Sequence, residues 1–338
     1  MSLVRAERRR LLKRRFTRYM LLIGVGVLVA VAVGMFLTNH KVSPATVAAA
    51  ERAADEELVR QQESFKQFQD DCRKSKESGS TTPKDAFPPD CEDIAAPSRD
   101  QVQAEWFMPA TFDFRREFEA TIGIFSGILA LVAFAVGASF VGAEWSSGGM
   151  MNLLLWRPRR VRVFATKLGT LLATLLAITL PLAAAWTAAF WAIGTFRGTT
   201  AKMTTGTWES FALTGARGLA LILVLGTAGF ALASLGRHTA MALGSAIGIG
   251  VVGQYGLGIA LILAQVRYFE AWLLPTYAAA WLTKRVELQD YRSCELVQGQ
   301  CTPESIAITW QHAGLLFGGG TLLLLLLAAW AMRRRDIT

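Results

Sequence analysis

The chain has 338 residues, of which 52% are hydrophobic and only 18% are charged, and its formal net charge is +9. Soluble domains carry about 25% charged residues, so this composition argues against a soluble class and favours a membrane protein. The sequence contains neither a GxxxxGK[ST] phosphate loop nor an HExxH motif. ATP hydrolysis by this chain and a metalloprotease site are therefore not expected.

Apolar runs of sufficient length recur six times. A helix needs about 20 residues to cross a hydrocarbon core of roughly 30 Å. The runs are Tyr19–Leu37, Thr121–Ala143, Leu168–Thr195, Phe211–Leu235, Thr239–Val266 and Gln311–Met332. The predicted fold class is therefore an all-α integral membrane protein with six transmembrane helices, the first over 19–38 and the other five within 119–338.

Lys and Arg are distributed unequally between the segments that join these runs. Residues 1–18, the loop 142–167, Arg237 and the C-terminal tail hold most of the excess positive charge. Because short loops rich in Lys and Arg stay inside, we expect these segments and both termini to be cytoplasmic. Anionic lipid headgroups account for the basic surplus, and nucleic acid is not an expected partner.

The N-terminal arm, residues 1–18, combines eight basic residues with scattered apolar ones and has no Gly or Pro. This pattern is typical of an amphipathic helix lying at the membrane surface, although a simple basic topology signal has the same composition. Residues 39–118 are the largest non-membrane segment and are expected to form an extracytoplasmic domain. An aromatic cluster near its end indicates an interfacial belt or, alternatively, a substrate gate.

All four cysteines lie in segments placed outside. Their proximity predicts Cys72–Cys91 and Cys294–Cys301 disulfides, because an exported face is oxidising. Without a Cys-x-x-Cys spacing, and with three scattered histidines, no metal site is expected. A serine hydrolase is the best enzyme alternative, but no histidine is expected at the depth of the membrane serines.

The stretch 142–167, GAEWSSGGMMNLLLWRPRRVRVFATK, separates the second and third apolar runs. Met150–Trp156 reads as one or two helical turns that are too short to cross the membrane and too apolar to remain in water. We therefore expect this segment to pack against a surface of a partner. We expect Glu144 to pair with Arg159, Arg160 or a residue of the N-terminal helix.

The order of residues in this stretch resembles the signature of type-2 ATP-binding-cassette (ABC) exporter permeases. The motif residues matched are Glu144, Gly148, Pro158, Arg159 and Lys167. Ser147-Gly148-Gly149 stands where the family usually has Gly-Thr, so the geometry of the turn is left open. A basic stop-transfer loop of another polytopic protein is the alternative interpretation.

The resemblance implies a coupling helix between spans 2 and 3 that docks on a separate cytosolic ATPase subunit. The implied ATPase-coupling residues are Glu144, Met150, Leu153, Leu154, Leu155, Trp156, Pro158, Arg159, Arg160 and Lys167. It also implies an N-terminal interfacial helix beside the ATPase, a dimer with a second permease copy or homologue, and ATP and Mg bound by the partner with no cofactor on this chain.

Three polar residues fall within the later spans. Arg217 in the fourth span is expected to be structural, reaching the outer rim or Glu209, with a place in the translocation path as the alternative. Gln254 and Tyr255 in the fifth span are candidates to line that path. Gly248–Gly253 matches GxGxxG but lies mid-membrane, so no dinucleotide site is expected. Within the loop 267–309, Ala271–Leu282 is broken by Pro275 and predicts a re-entrant segment.

The leading interpretation is a non-enzymatic transport subunit that moves a drug, lipid or peptide outward, located in the plasma (inner) membrane of a bacterium and surrounded by membrane lipids. The alternative from another class is a polytopic membrane scaffold or assembly factor that needs no ATPase.

Overall fold

The structure, a computed structural model, describes residues 3–77, 91, 96–156, 159–290, 296–297, 300–301 and 303–334. It is predominantly helical, and six helices in this part of the chain are long and apolar enough to cross a membrane. The transmembrane prediction is thereby supported at the level of helix length and composition. The six are α2 (Arg15–Thr38), α4 (Phe114–Ser146), α6 (Arg160–Arg197), α7 (Thr205–Gly236), α8 (Thr239–Leu263) and α10 (Trp310–Arg334).

Four further α-helices lie in the described part of the chain, besides three short 3-10 helices. They are α1 (Leu3–Lys13), α3 (Pro44–Glu77), α5 (Gly149–Trp156) and α9 (Leu274–Thr283). The N-terminal helix was expected to continue to residue 18, but it ends at Lys13 and a new helix begins at Arg15. α5 covers Met150–Trp156, as predicted for a short helical turn there.

The chain divides into two compact units. The first comprises Met1–Val33, Arg115–Trp191 and Ala201–Thr338. Helices α4 and α7 form its core, since 67% and 56% of their most apolar windows are buried inside the chain, against 6% for α8. Their backbones approach closely where glycines face each other: a Cβ on Gly137 would collide with the carbonyl oxygen of Gly226, and one on Gly229 with that of Phe134.

Helices α7 and α8 are joined by a tight turn, as the short Gly236–Thr239 connection predicts. Arg237 adopts a left-handed conformation with φ 54°, and the Nδ1 atom of His238 accepts a hydrogen bond from the backbone N–H of Ala240. α8 contains a π-helical segment at Gly248–Gly253, and α10 contains another at Leu315–Gly319. Where GxGxxG occurs, the backbone is therefore helical on both sides, and no strand precedes it.

The connection between α8 and α10 contains a β-hairpin that the sequence analysis missed. β3 (Arg285–Asp290) pairs antiparallel with β6 (Glu304–Thr309), with Arg285 opposite Thr309. β4 (Leu296–Val297) and β5 (Gln300–Cys301) pair inside this hairpin. The fold therefore contains a small antiparallel β-hairpin that the all-α prediction did not include. The Ala271–Leu282 segment is interrupted, as predicted, but at Leu273, between a 3-10 helix at Phe269–Trp272 and α9. Pro275 itself lies in the first turn of α9, where its missing N–H needs no intrahelical partner. The re-entrant path stays a prediction.

The second unit comprises Gly34–Phe114 and Ala192–Thr200. Its longest element is α3, which is tied to the segment after it by a Cys72–Cys91 disulfide and by an Arg99–Asp55 ion pair of 3.0 Å. Short strands β1 (Phe112–Asp113) and β2 (Gly198–Thr199) pair in parallel. The first predicted disulfide is confirmed. The second, Cys294–Cys301, lies outside the residues whose side chains the structure describes.

Candidate functional site

Lys167 lies at the centre of a buried ion cluster in the first unit. It is placed two turns into α6, and its side chain is fully buried. Its Nζ atom is 2.6 Å from Glu7 Oε2 on α1 and 2.6 Å from Glu144 Oε2 on α4. One ammonium group therefore joins three helices that are far apart in the sequence.

Arg14 completes the cluster from the break between α1 and α2. Its Nη2 atom is 3.1 Å from Glu144 Oε1, and its Nη1 atom donates to the backbone carbonyl oxygens of Ser139 at 2.7 Å and Phe140 at 3.1 Å. The guanidinium thus binds one α4 side chain and the α4 backbone together. Burial lowers the pKa of Arg14, and the Glu144 and Glu7 carboxylates act in the opposite direction. An arginine so placed still carries its charge.

Phe140 provides an aromatic surface beside the two cations. The Lys167 Nζ atom is 5.0 Å from the ring centroid, and the Arg14 Cζ atom is 5.8 Å from it. Phe140 is fully buried, so the ring excludes water from one side of the ion pairs. Cations within about 6 Å of a ring face gain up to about 2 kcal/mol where they are desolvated.

The charges within the cluster nearly compensate one another. Glu7 and Glu144 are opposed by Lys167 and Arg14, and Arg10 Nη1 lies 3.6 Å from Glu7 Oε1. Buried ion pairs repay their desolvation only when further hydrogen bonds satisfy the ions, and loss of one partner costs about 3–5 kcal/mol. The cluster therefore fixes α1 firmly to the ends of α4 and α6.

The turn that follows Glu144 explains how α4 passes into α5. Gly148 has φ +72°, a left-handed conformation that glycine adopts without steric cost. The backbone N–H of Gly148 donates to the carbonyl oxygen of Trp145, and its own carbonyl accepts from Asn152. Only Ser147 and Gly148 therefore separate the end of α4 from the start of α5. The turn geometry that the sequence left open is a left-handed glycine turn at Gly148.

A cavity of about 470 Å³ opens next to the ion cluster. It lies between α1, the end of α4 and the start of α5, and it is lined by Arg10, Arg14, Glu144, Ser147, Gly149, Asn152 and Leu153. Both signs of charge and an apolar side chain meet in its wall. This concave, mixed surface is suited to contact with another polypeptide.

The predicted coupling residues occupy different environments. Met150 is buried, with 1% exposure, so its side chain packs within the chain; Met151 is exposed and Leu153 half-buried. The side chains of Leu154, Leu155, Trp156 and Pro158 lie outside the described residues. Lys167 and Glu144, predicted to act together in one stretch, are brought into direct contact.

Arg159 and Arg160 do not pair with Glu144, which is occupied by Arg14 and Lys167 instead. Arg160 Nη1 lies 3.5 Å from the carbonyl oxygen of Met332 on α10. A second, smaller cavity of about 290 Å³ is lined by Arg159, Arg160, Val161, Arg162 and Arg333. Arg14 matches the third predicted option, a residue of the N-terminal helix predicted over 1–18, although it lies just beyond the end of α1.

In the described part of the chain, no contact joins the three candidate path residues into one site. Gln254 Oε1 accepts a hydrogen bond from the backbone N–H of Leu274 at 2.6 Å and so caps the start of α9. Tyr255 is 73% exposed on α8. Arg217 pairs with no acid in the described part of the chain, and Glu209 is not its partner. The Arg217 guanidinium lies 6.0 Å from the centroid of the Trp310 ring. The backbone carbonyl of Arg217 accepts a hydrogen bond from Trp281 Nε1.

Glu7 and Arg14 are the site residues that sequence reasoning missed. Glu7 is the single acid among the basic residues of 1–18, and that isolation was the available signal. Glu7 and Leu11 are buried within the chain, whereas Val4 and Leu12 are exposed on its surface. The predicted position of this helix at the membrane surface stays a prediction. Among the described residues, no group of three or more His, Cys, Asp or Glu side chains is arranged to hold a metal ion.

Comparison with known proteins gives no match: no family model, no curated protein and no solved structure corresponds to this chain.

Proposed function

We propose that this chain is the membrane-spanning subunit of an ATP-driven exporter of the type-2 ABC class, with ATP hydrolysed by a separate cytosolic subunit that docks at α5. The buried Glu7–Lys167–Glu144–Arg14 cluster is the observation on which the proposal depends most. It occurs on the stretch whose sequence resembles the family signature, and it gives that stretch a mechanical role.

The argument from geometry concerns the two ends of the α4–α6 connection. Glu144 lies two residues before α4 ends, and Lys167 lies about two turns into α6; their side chains are in contact. Because Glu144 and Lys167 tie the end of α4 to α6, the connection between them cannot bend independently of these two helices. A partner that pushed on α5 would therefore tilt α4 and α6 together, which is the motion that alternating access needs.

The helix α1 is part of the same unit through Glu7. Because its exposed residues include Arg8 and Arg9, it presents positive charge away from the cluster. We infer that this surface faces anionic lipid headgroups and the partner at the cytoplasmic side. A second permease copy is also part of the proposal, because the resemblance to the exporter family implies a dimer. The surfaces of α2 and α8, which are mostly uncovered within the chain, are available to that copy or to lipid.

The test is co-purification from native membranes in mild detergent, with vanadate-sensitive ATP hydrolysis as the measured quantity. Substitution of Leu153, Leu154 and Leu155 by serine should lower the hydrolysis recovered with the chain by about tenfold, a loss of about 1.4 kcal/mol in docking. The matched control replaces exposed Val47 and Val59 of α3 by serine and should retain it.

Two outcomes would count against the proposal. If the unaltered chain is isolated intact without ATP hydrolysis, the scaffold or assembly-factor interpretation becomes the better one. If the triple-serine variant is as well folded and as active as the control variant, docking at α5 is wrong.

A further inference from the structure

Four arginines from two spanning helices meet around one small cavity of the first unit. The cavity has a volume of about 290 Å³ and lies between the start of α6 and the end of α10. It is lined by Arg159, Arg160, Val161, Arg162 and Arg333, and no acidic side chain of the described residues is part of its wall. Like charges gathered in one wall repel one another, and a bound anion relieves that repulsion.

Buried residues beside the arginines hold the two helix ends in place. Val163, which follows Arg162 on α6, is 2% exposed. Met332, which precedes Arg333 on α10, is 6% exposed. Arg160 Nη1 lies 3.5 Å from the carbonyl oxygen of Met332 and so links one helix to the other. The arginines are therefore brought together by packed parts of the fold.

The cavity lies where both helices leave their apolar segments. The apolar run of α10 ends at Met332, and that of α6 begins at Leu168, two turns after the helix starts. Trp330 is 55% exposed, and the Arg334 Cζ atom lies 5.1 Å from its ring centroid. Exposed tryptophans of membrane helices are enriched at the headgroup level. With the six spans in a bilayer, this cavity is level with the lipid phosphates.

The chemistry of the wall favours phosphate. The planar guanidinium group offers two parallel N–H donors that match two phosphate oxygens. Arg162 and Arg333 are both exposed, so their side chains are accessible to a ligand. The volume is just below the range of about 300–1,000 Å³ that holds drug-sized ligands, so the cavity suits a headgroup and not a whole lipid. Basic pockets between membrane helices bind anionic headgroups in this way.

We propose that this cavity binds the phosphodiester headgroup of an anionic glycerophospholipid, with Arg162 and Arg333 as the principal phosphate ligands. The acyl chains of that lipid stay in the bilayer beside α6 and α10. The proposal depends on the membrane location of these helices and needs no ATPase. It also gives Arg162 and Arg333 a role that the exporter resemblance does not assign.

The experiment is native mass spectrometry of the purified full chain in detergent with added lipid. Phosphatidylglycerol is the anionic probe, and phosphatidylcholine is the reference because it carries the same phosphodiester without net charge. The unaltered chain should retain phosphatidylglycerol about tenfold more than phosphatidylcholine, and Arg162→Gln with Arg333→Gln should abolish that preference.

The matched control removes the same charge elsewhere. Arg15→Gln with Arg18→Gln replaces two exposed arginines of α2 that do not line the cavity, and it should keep the preference. The single substitution Arg333→Gln guards against misfolding of the double variant and should lower phosphatidylglycerol retention about threefold.

Inorganic phosphate distinguishes a lipid from a free anion. In tenfold molar excess over lipid it should leave phosphatidylglycerol bound, because it has no acyl chains; displacement at equal concentration would make the ligand a soluble phosphate compound and contradict the proposal. Equal phosphatidylglycerol retention by the two double variants would also overturn it. If the Arg162–Arg333 double variant then loses the co-purified ATP hydrolysis, these arginines bind the partner subunit instead.

Discussion

At the scale of single residues, Lys167 has the most demanding environment in the described chain. Its ammonium group is fully buried at 2.6 Å from two carboxylates contributed by α1 and α4. Such an ion is tolerated in an apolar region only because its partners are held in place by the same fold. Residues that are interdependent in this way should not be replaceable one at a time.

Lys167→Met should therefore destabilise the protein by about 3–5 kcal/mol, because it leaves two carboxylates buried beside each other. The thermal unfolding midpoint in detergent measures the effect. The exposed residue Arg162 provides the control, since Arg162→Met should change the midpoint little. Adding Glu7→Gln and Glu144→Gln to Lys167→Met should recover much of the loss; if it recovers none, packing rather than charge balance is the cause.

Gly148→Ala is expected to cost about 1–2 kcal/mol, because an L-residue with a Cβ is strained at φ +72°. Gly149→Ala is the control: it lies next to Gly148, begins α5 and has only ordinary contacts around its added methyl group. The two variants can be compared by their thermal midpoints in detergent. Equal midpoints would mean that the left-handed turn is not maintained in solution.

At the scale of elements, the sequence predicted the six spans well and the contacts between them poorly. Each observed spanning helix overlaps its apolar run but starts or ends up to eight residues away, as with α6 at Arg160 instead of Leu168. Hydrophobicity marks the length that lies in lipid, whereas helices continue into water as far as hydrogen bonding and packing support them.

The hairpin β3–β6 was missed because its strands are separated by the 13 residues 291–303, and neither strand is a continuous apolar run. Likewise, Glu144 and Lys167 were recognised in their own stretch, but Arg14, which pairs with Glu144, lies 130 residues earlier, and Glu7, which pairs with Lys167, lies 160 residues earlier. Periodicity reports the face of one helix, and it contains no information on which distant side chain meets that face.

Helix pair α4–α7 makes a prediction of its own. Gly137→Ala places a methyl group against the Gly226 carbonyl and should separate the two helices, with a large loss of monodisperse protein. Gly127→Ala, ten residues earlier on α4, meets no atom within 4 Å and should be neutral or slightly stabilising. Fluorescence-detected size exclusion after a heat step distinguishes them. Similar recovery of both variants would contradict the close approach.

The disulfide of the second unit closes a sequence separation of 19 residues, for which chain-entropy reasoning gives about 3 kcal/mol. Cys72→Ser with Cys91→Ser should therefore increase hydrogen exchange in the last turns of α3 and leave that of α7 unchanged. Peptide-resolved exchange measures both. Unchanged protection in α3 would show that its other contacts, such as Arg99–Asp55, are sufficient.

At the scale of the whole molecule, charge distribution leads to a topological prediction. The excess of Lys and Arg in residues 1–18 and in 142–167 predicts that both segments lie inside and that α3 lies outside. Arg8→Cys should resist a membrane-impermeant maleimide on intact cells, whereas Val59→Cys should react. Both should react after permeabilisation. The reverse pattern on intact cells would invert the assigned orientation and remove the basis for ATPase docking at α5.

The π-helical segment Gly248–Gly253 has a consequence for the fifth span. A π turn accommodates an additional residue within the helix, and its conversion to regular α-helix would rotate everything beyond it by about 100° around the helix axis. Gln254 follows immediately and is tied to Leu274. That hydrogen bond therefore helps to fix the rotation of the remaining α8 turns about the helix axis, and with it the side of the helix on which Tyr255 lies.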